Sequence, residues 1–172
     1  YDTGVLLMAE NPSSLSKIGE IYDRIAFAGV GKFSEFDQLR KLGVRYADTR
    51  GYAYSRHVVR AKALANAYSQ AMGEVFTREL KPLDVEVIVA EVGDDTLAGH
   101  ESNAIYRVQF DGSISDHEGF WVIGGAAEEL GSLLRAEYRA GLSLRDALRL
   151  GHRALQRAAD REPHVAPENL EV

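Results

Sequence analysis

Ser16-Lys17-Ile18-Gly19-Glu20-Ile21-Tyr22-Asp23-Arg24-Ile25-Ala26-Phe27-Ala28-Gly29-Val30-Gly31-Lys32-Phe33-Ser34 is the stretch on which the fold turns. In its first part Ile18 and Ile21 bracket polar Glu20, and Tyr22-Asp23-Arg24 has the composition of a turn. Ile25-Ala26-Phe27-Ala28 is then a short apolar run, suited to a strand buried on both faces. Gly29 and Gly31 are expected to let the backbone turn sharply without a Cβ penalty. A helix is expected at once, with Ser34 as its N-cap and Asp37 three residues on, close to a capping box. The segment is therefore a hairpin that leads into a helix, with a lysine at each end.

Upstream, Gly4-Val5-Leu6-Leu7-Met8-Ala9 is a continuous apolar run closed by Glu10-Asn11-Pro12-Ser13-Ser14, which predicts a strand and then a turn. Downstream, Phe36, Leu39, Val44 and Ala47 fit a helix that reaches about Ala47, interrupted by Gly43. Thr49-Arg50-Gly51-Tyr52-Ala53-Tyr54 is expected to be a packed link, and Ser55 to cap a second, long helix. Leu64, Ala67, Tyr68, Ala71, Met72, Val75 and Phe76 give that helix its apolar face, and Pro82 lies just past its end. Asp84-Val85-Glu86-Val87-Ile88-Val89-Ala90-Glu91-Val92 predicts an interior strand. After a polar loop, a strand runs from Ala104 to about Phe110, Asp111-Gly112 signals a hairpin, Ile114 begins the return and Phe120-Trp121-Val122-Ile123 is a further strand.

Gly124-Gly125 opens a helix carrying Leu130, Leu133, Leu134 and Tyr138, ended by Gly141. Ser143, with Asp146 three on, caps another that carries Leu144, Ala147, Leu148, Leu155 and Ala158. The tail holds Pro163 and Pro167, and Asn169-Leu170-Glu171-Val172 resembles a strand cut short. Strand groups segregated from paired helices argue for an α+β fold, and two of each suggest a four-layer α-β-β-α sandwich.

The 172 residues suit one domain, and 45% hydrophobic residues suffice for a core. A net charge of -6 with no compensating basic patch argues against nucleic acid. Without cysteine there is no disulfide, thiolate metal site or cysteine nucleophile. No apolar stretch reaches the roughly 20 residues a membrane span needs. Tyr1 follows no initiator Met, so the chain is read as a portion of a longer one.

Gly29-Val30-Gly31-Lys32 before a helix raises a phosphate loop, but Ala26 and Phe33 stand where that loop needs Gly and Ser or Thr. Ser34 likewise replaces the third glycine of a dinucleotide fingerprint, so the tight turn is preferred over a nucleotide site. His57, His100, His117, His152 and His164 show no metal spacing. A threonine that uses its own α-amine as base must come first in the chain, and Thr3 does not. Neither a catalytic residue nor a metal or other cofactor is expected.

Four stretches carry a resemblance: residues 4–12, Lys17 through Arg24, Gly31-Lys32-Phe33-Ser34-Glu35-Phe36-Asp37, and the specific run Tyr46-Ala47-Asp48-Thr49-Arg50-Gly51-Tyr52-Ala53-Tyr54. Residues 82–91, 106–114 and Gly124-Gly125 continue it. Together the chain resembles the α subunit of the actinobacterial 20S proteasome, over its whole length. The resemblance implies the Ntn-hydrolase sandwich in a non-catalytic member, cytoplasmic, with terminal elements of the family missing from both ends by truncation or disorder. It implies a heptameric ring of α subunits that caps the proteolytic β rings, gates entry of unfolded protein substrates and docks a ring-shaped ATPase for degradation of pupylated proteins. It further implies that Lys17 receives the ATPase's C-terminal carboxylate, with Gly31 and Lys32 shaping the pocket. Tyr46, Tyr52 and Tyr54 are expected as exposed interface anchors. The alternative is a catalytically active Ntn hydrolase, a β-type threonine protease.

Overall fold

The computed structural model describes residues 1–11, 14–96, 102–158 and 165–172. The expectations at Pro12, Ser13, His100, Pro163 and His164 lie outside these residues. β2 (Ile18–Tyr22) and β3 (Ile25–Gly31) form the expected antiparallel hairpin, with Ile18 opposite Ala28 and a bulge between Glu20 and Tyr22. Asp23 takes φ 45° in the connecting turn, a conformation that Asp tolerates better than most side chains. β3 pairs along all seven residues with β4 (Val85–Glu91), followed by β5 (Ala104–Val108) and β6 (Ile114–Asp116). The result is a five-stranded antiparallel sheet in the order β2-β3-β4-β5-β6.

Alternation places Ile25 and Phe27 of β3, and Val85, Val87 and Val89 of β4, on one face. α1 (Phe33–Ala53) and α2 (Ala61–Arg78) cover that face and close the core. Phe27 stacks on Phe36 with ring centroids 5.0 Å apart and tilts against Tyr68 at 5.4 Å. Fully burying such side chains contributes about 1.5–3 kcal/mol each, which makes this apolar face the main support of the sheet.

On the other face Ile88 looks into a cavity of about 950 Å³, shared with Leu6, Met8, Trp121, Leu134 and Leu150. Here α3 (Ala127–Glu137) pairs with α4 (Leu144–Ala158). As expected, Ser143 caps α4: the Asp146 N–H donates to its Oγ at 3.2 Å, and the Ser143 hydroxyl donates to the Asp146 carboxylate at 2.8 Å. β1 (Ala9–Glu10) and β7 (Leu170–Glu171) make a separate two-stranded antiparallel ribbon. The architecture is thus α+β; among the described residues the second sheet consists of this ribbon alone.

Several expected boundaries are corrected. α1 does not stop near Ala47 but runs through the supposed link to Ala53, because its glycines lie under tyrosines: the Tyr68 hydroxyl occupies the space of a Gly43 Cβ, and the Tyr22 phenol that of a Gly51 Cβ. Ser55 caps a short 3-10 turn (Arg56–Val58) rather than the long helix, which begins at Ala61. Lys32, not Ser34, is the N-cap of α1, and no side chain caps it. Gly29 does not turn; it lies inside β3, where the Phe36 ring packs over it. Residues 4–8 and Phe120-Trp121-Val122-Ile123 form no ladder, the latter being held by rings instead: Phe120 meets Tyr138 edge-on at 5.6 Å, and the Arg107 guanidinium lies over Trp121 at 5.5 Å.

Candidate docking site at the open end of the hairpin

Lys17 immediately precedes β2, and its carbonyl accepts from the Gly29 N–H at 3.0 Å. Strand rise of about 3.3 Å per residue then sets Gly31 roughly 7 Å further along, past the open end of the hairpin. The Lys17 ammonium is at the surface and donates to the Glu10 carbonyl of β1 at 2.6 Å. Its backbone is fixed from elsewhere: the N–H groups of Lys17 and Ile18 donate to the two carboxylate oxygens of Glu171, at 2.8 and 3.0 Å. Asn11 Nδ2 donates to the same carboxylate at 2.7 Å and to the Leu15 carbonyl at 2.9 Å.

Burial pushes the Glu171 carboxyl up, but the backbone N–H groups of Lys17 and Ile18 and the side chains of Asn11 and Ser16 outweigh it and hold the group below its ordinary 4.5. A depressed acid contributes stability above its ordinary value and loses it as pH falls through the lower folded one. The difference in melting temperature between the wild type and Glu171→Gln is therefore expected to be constant above 4.5 and to shrink below it. A thermal-melt series across that range checks this; a difference that grew in acid would refute it.

Gly31 closes β3 with φ 115°, where the Asp84 carbonyl occupies the space a Cβ would take. The Lys32 N–H donates to that carbonyl at 2.7 Å, and its ammonium pairs with Glu35 at 3.1 Å. Glu35 in turn accepts from the Asp84 N–H at 2.6 Å. Lys32 is thus already committed through both its backbone and its side chain, whereas among the described residues the Lys17 ammonium has only a neutral carbonyl partner.

The three tyrosines separate. Tyr46 is half-buried against the core, with the Arg50 guanidinium over its ring at 5.1 Å, so it is not the exposed residue expected. Tyr52 and Tyr54 are 96% and 75% exposed, and Tyr54 shares a shallow surface hollow with the exposed Val58. Among the described residues no group of histidines and carboxylates could hold a metal ion, and no helix is long and apolar enough to cross a membrane.

Sequence reasoning missed Glu171, Asn11 and Glu91. Glu91 is 2% exposed; it accepts from Arg60 Nε at 2.9 Å and from the Ala61 N–H at 2.8 Å, with Arg24 at 3.9 Å. The apolar run around Glu91 and the truncated strand around Glu171 were visible, but their partners lie 30 and 154 residues away.

A family model described as "Proteasome subunit" matches residues 1–172. The chain belongs to the proteasome subunit family. It is 55% identical over 151 residues to the proteasome subunit alpha of Sanguibacter keddieii, covering 87% of this chain and 58% of that protein. The proteasome subunit alpha of Xylanimonas cellulosilytica is 56% identical over the same length and is covered to 60%. That of Kineococcus radiotolerans is 49% identical over 176 residues, 98% of this chain and 73% of that protein. The chain thus spans about three fifths of the length of the first two relatives. The resemblance to actinobacterial proteasome α subunits is borne out, and proteolysis is the process to which the family belongs.

Proposed function

We propose that this chain is part of a non-catalytic α-ring subunit of a bacterial 20S proteasome core particle. Seven copies form a ring that caps the β rings, gates the entry of unfolded protein and docks the ring-shaped ATPase that delivers pupylated substrates, in the cytoplasm. Residues 1–172 act as a single α-type domain, and the β1–β7 ribbon is the described part of the second sheet of a four-layer sandwich.

The observation that best supports docking is the Lys17 ammonium, presented at the surface from a braced peptide and bonded, among the described residues, to the neutral Glu10 carbonyl alone. A carboxylate is a stronger acceptor for an ammonium than a neutral carbonyl, so a partner's C-terminus can displace that bond. Exposed Gly31 leaves the neighbouring backbone open to close approach, and Lys32 lends positive charge nearby. Tyr52 and Tyr54, large and exposed, suit contacts within the ring, whereas Tyr46 is half-buried against the core.

Lys17→Ala is expected to leave the fold and the ring intact and to weaken ATPase docking by about 1.5–3 kcal/mol, roughly ten- to hundredfold. ATPase-stimulated degradation by the assembled particle reads this out, and an unchanged rate would remove Lys17 from the docking site. Native mass spectrometry of the full-length subunit with its cognate β subunit tests the assembly itself. Sevenfold α rings stacked on β rings are expected; a persistent monomer would overturn the assembly, and peptide hydrolysis by the subunit alone would favour the β-type protease instead.

A further inference from the structure

In an extended strand, successive backbone N–H groups point to opposite edges. At Lys17 and Ile18 they converge on one carboxylate, that of Glu171, so the chain bends at the residue that carries the ammonium. Meanwhile the Lys17 carbonyl is held by the Gly29 N–H. The two peptide planes that flank the Lys17 Cα are therefore pinned by three hydrogen bonds, and with them the direction in which its side chain leaves the backbone. Asn11 adds a third donor to Glu171 and ties the same carboxylate to the Leu15 carbonyl on the approach to Lys17. The Lys17 ammonium goes to the Glu10 carbonyl and not to Glu171, so the acid braces the lysine without neutralising it.

We propose that Glu171 is a positioning residue for carboxylate capture by Lys17, acting through the Lys17 and Ile18 amides from the neighbouring ribbon. This rests on the docking role given to Lys17 above. An ammonium on a four-carbon stem loses much rotational freedom when it binds, and a fixed root lowers that cost. Glu171 thus contributes to affinity without touching the ligand.

The test uses core particles assembled from full-length subunits. Its probe is a fluorescein-labelled decapeptide from the C-terminus of the ATPase of the same organism, either as the free acid or amidated. Glu171→Gln keeps the shape of the side chain but turns an amide N–H₂ toward one of the two backbone donors. It is expected to weaken binding of the free-acid peptide about tenfold, the effect of one lost charge-assisted hydrogen bond, and to leave the weak binding of the amide unchanged. In a Lys17→Ala background the same substitution is expected to have no further effect, since its action passes through the lysine.

Wild-type affinity in Glu171→Gln, or an equal loss with Lys17 already removed, would overturn the proposal. If Glu171→Gln particles fail to assemble, Asn11→Ala decides the matter. It removes one donor to the same carboxylate and is expected to weaken the free-acid peptide about threefold, again only when Lys17 is present. Unchanged binding in Asn11→Ala would then count against the role of Glu171. Should Lys17→Ala alone bind as tightly as the wild type, the docking site itself is elsewhere; a loss in Lys17→Ala without one in Glu171→Gln refutes the positioning role alone.

Discussion

Glu91→Ala is expected to lower the unfolding free energy by about 3–5 kcal/mol, the largest effect of any single substitution considered. The carboxylate is 2% exposed and lies between Arg60 and Arg24, whose side chains are only 34% and 18% exposed. It also accepts the Ala61 N–H, one of the donors that the first turn of α2 cannot satisfy within the helix. Its removal leaves a buried N–H without that partner and takes the shared anion from two cations. The penalty is thus dominated by what is stranded, not by the worth of the ion pair. Glu91→Gln keeps acceptor capacity at one position and is expected to cost about half as much, on the order of 2 kcal/mol. Urea denaturation of the three proteins checks both figures. A loss below about 1 kcal/mol in the alanine variant would mean that water reaches the arginines and the α2 N-terminus.

Gly31→Ala is expected to cost roughly 3 kcal/mol or more, for a different reason. Its φ of 115° lies where L side chains rarely go, and the added Cβ would fall on the Asp84 carbonyl and within 2.8 Å of the Val85 Cα. Both obstacles are backbone, so no rotamer change relieves them. The same carbonyl accepts the Lys32 N–H at 2.7 Å, and pushing it aside loosens the start of α1 as well. Gly29 is a useful contrast. A Cβ there would meet the Phe36 ring at 2.5 Å, but a ring can shift and the backbone angle is ordinary. Gly29→Ala is therefore expected to be the milder of the two in thermal melts, and the reverse order would contradict the strain assigned to Gly31.

The hairpin, β4, α2 and the α4 cap were legible because each is written in local chemistry. Asp23 between two apolar runs signals the turn, Val85 to Val89 signals an interior strand, and Ser143 with Asp146 signals the cap. The end of α1 was not legible. Gly43 and Gly51 look like helix breakers until the Tyr68 and Tyr22 hydroxyls are seen to fill the space above them, a tertiary reason that outweighs local propensity. Phe120-Trp121-Val122-Ile123 has the composition of a strand but spends its rings on Tyr138 and Arg107. At the site, Lys17 and Gly31 came from resemblance to a family. Their bracing could not be read locally, because Glu171 acts across 154 residues and nothing near either partner announces it.

That long reach sets an order of events during synthesis. The hairpin, α1, α2 and β4 can gather around Phe27 once β4 has left the ribosome, while the peptide at Lys17 still lacks the acid that orients it. Only when β7 emerges and pairs with β1 does the lysine acquire its final direction. Half-made chains would thus have a folded heart while the peptide at Lys17 is still unbraced, since its bonds to Glu171 form only after translation has passed β7.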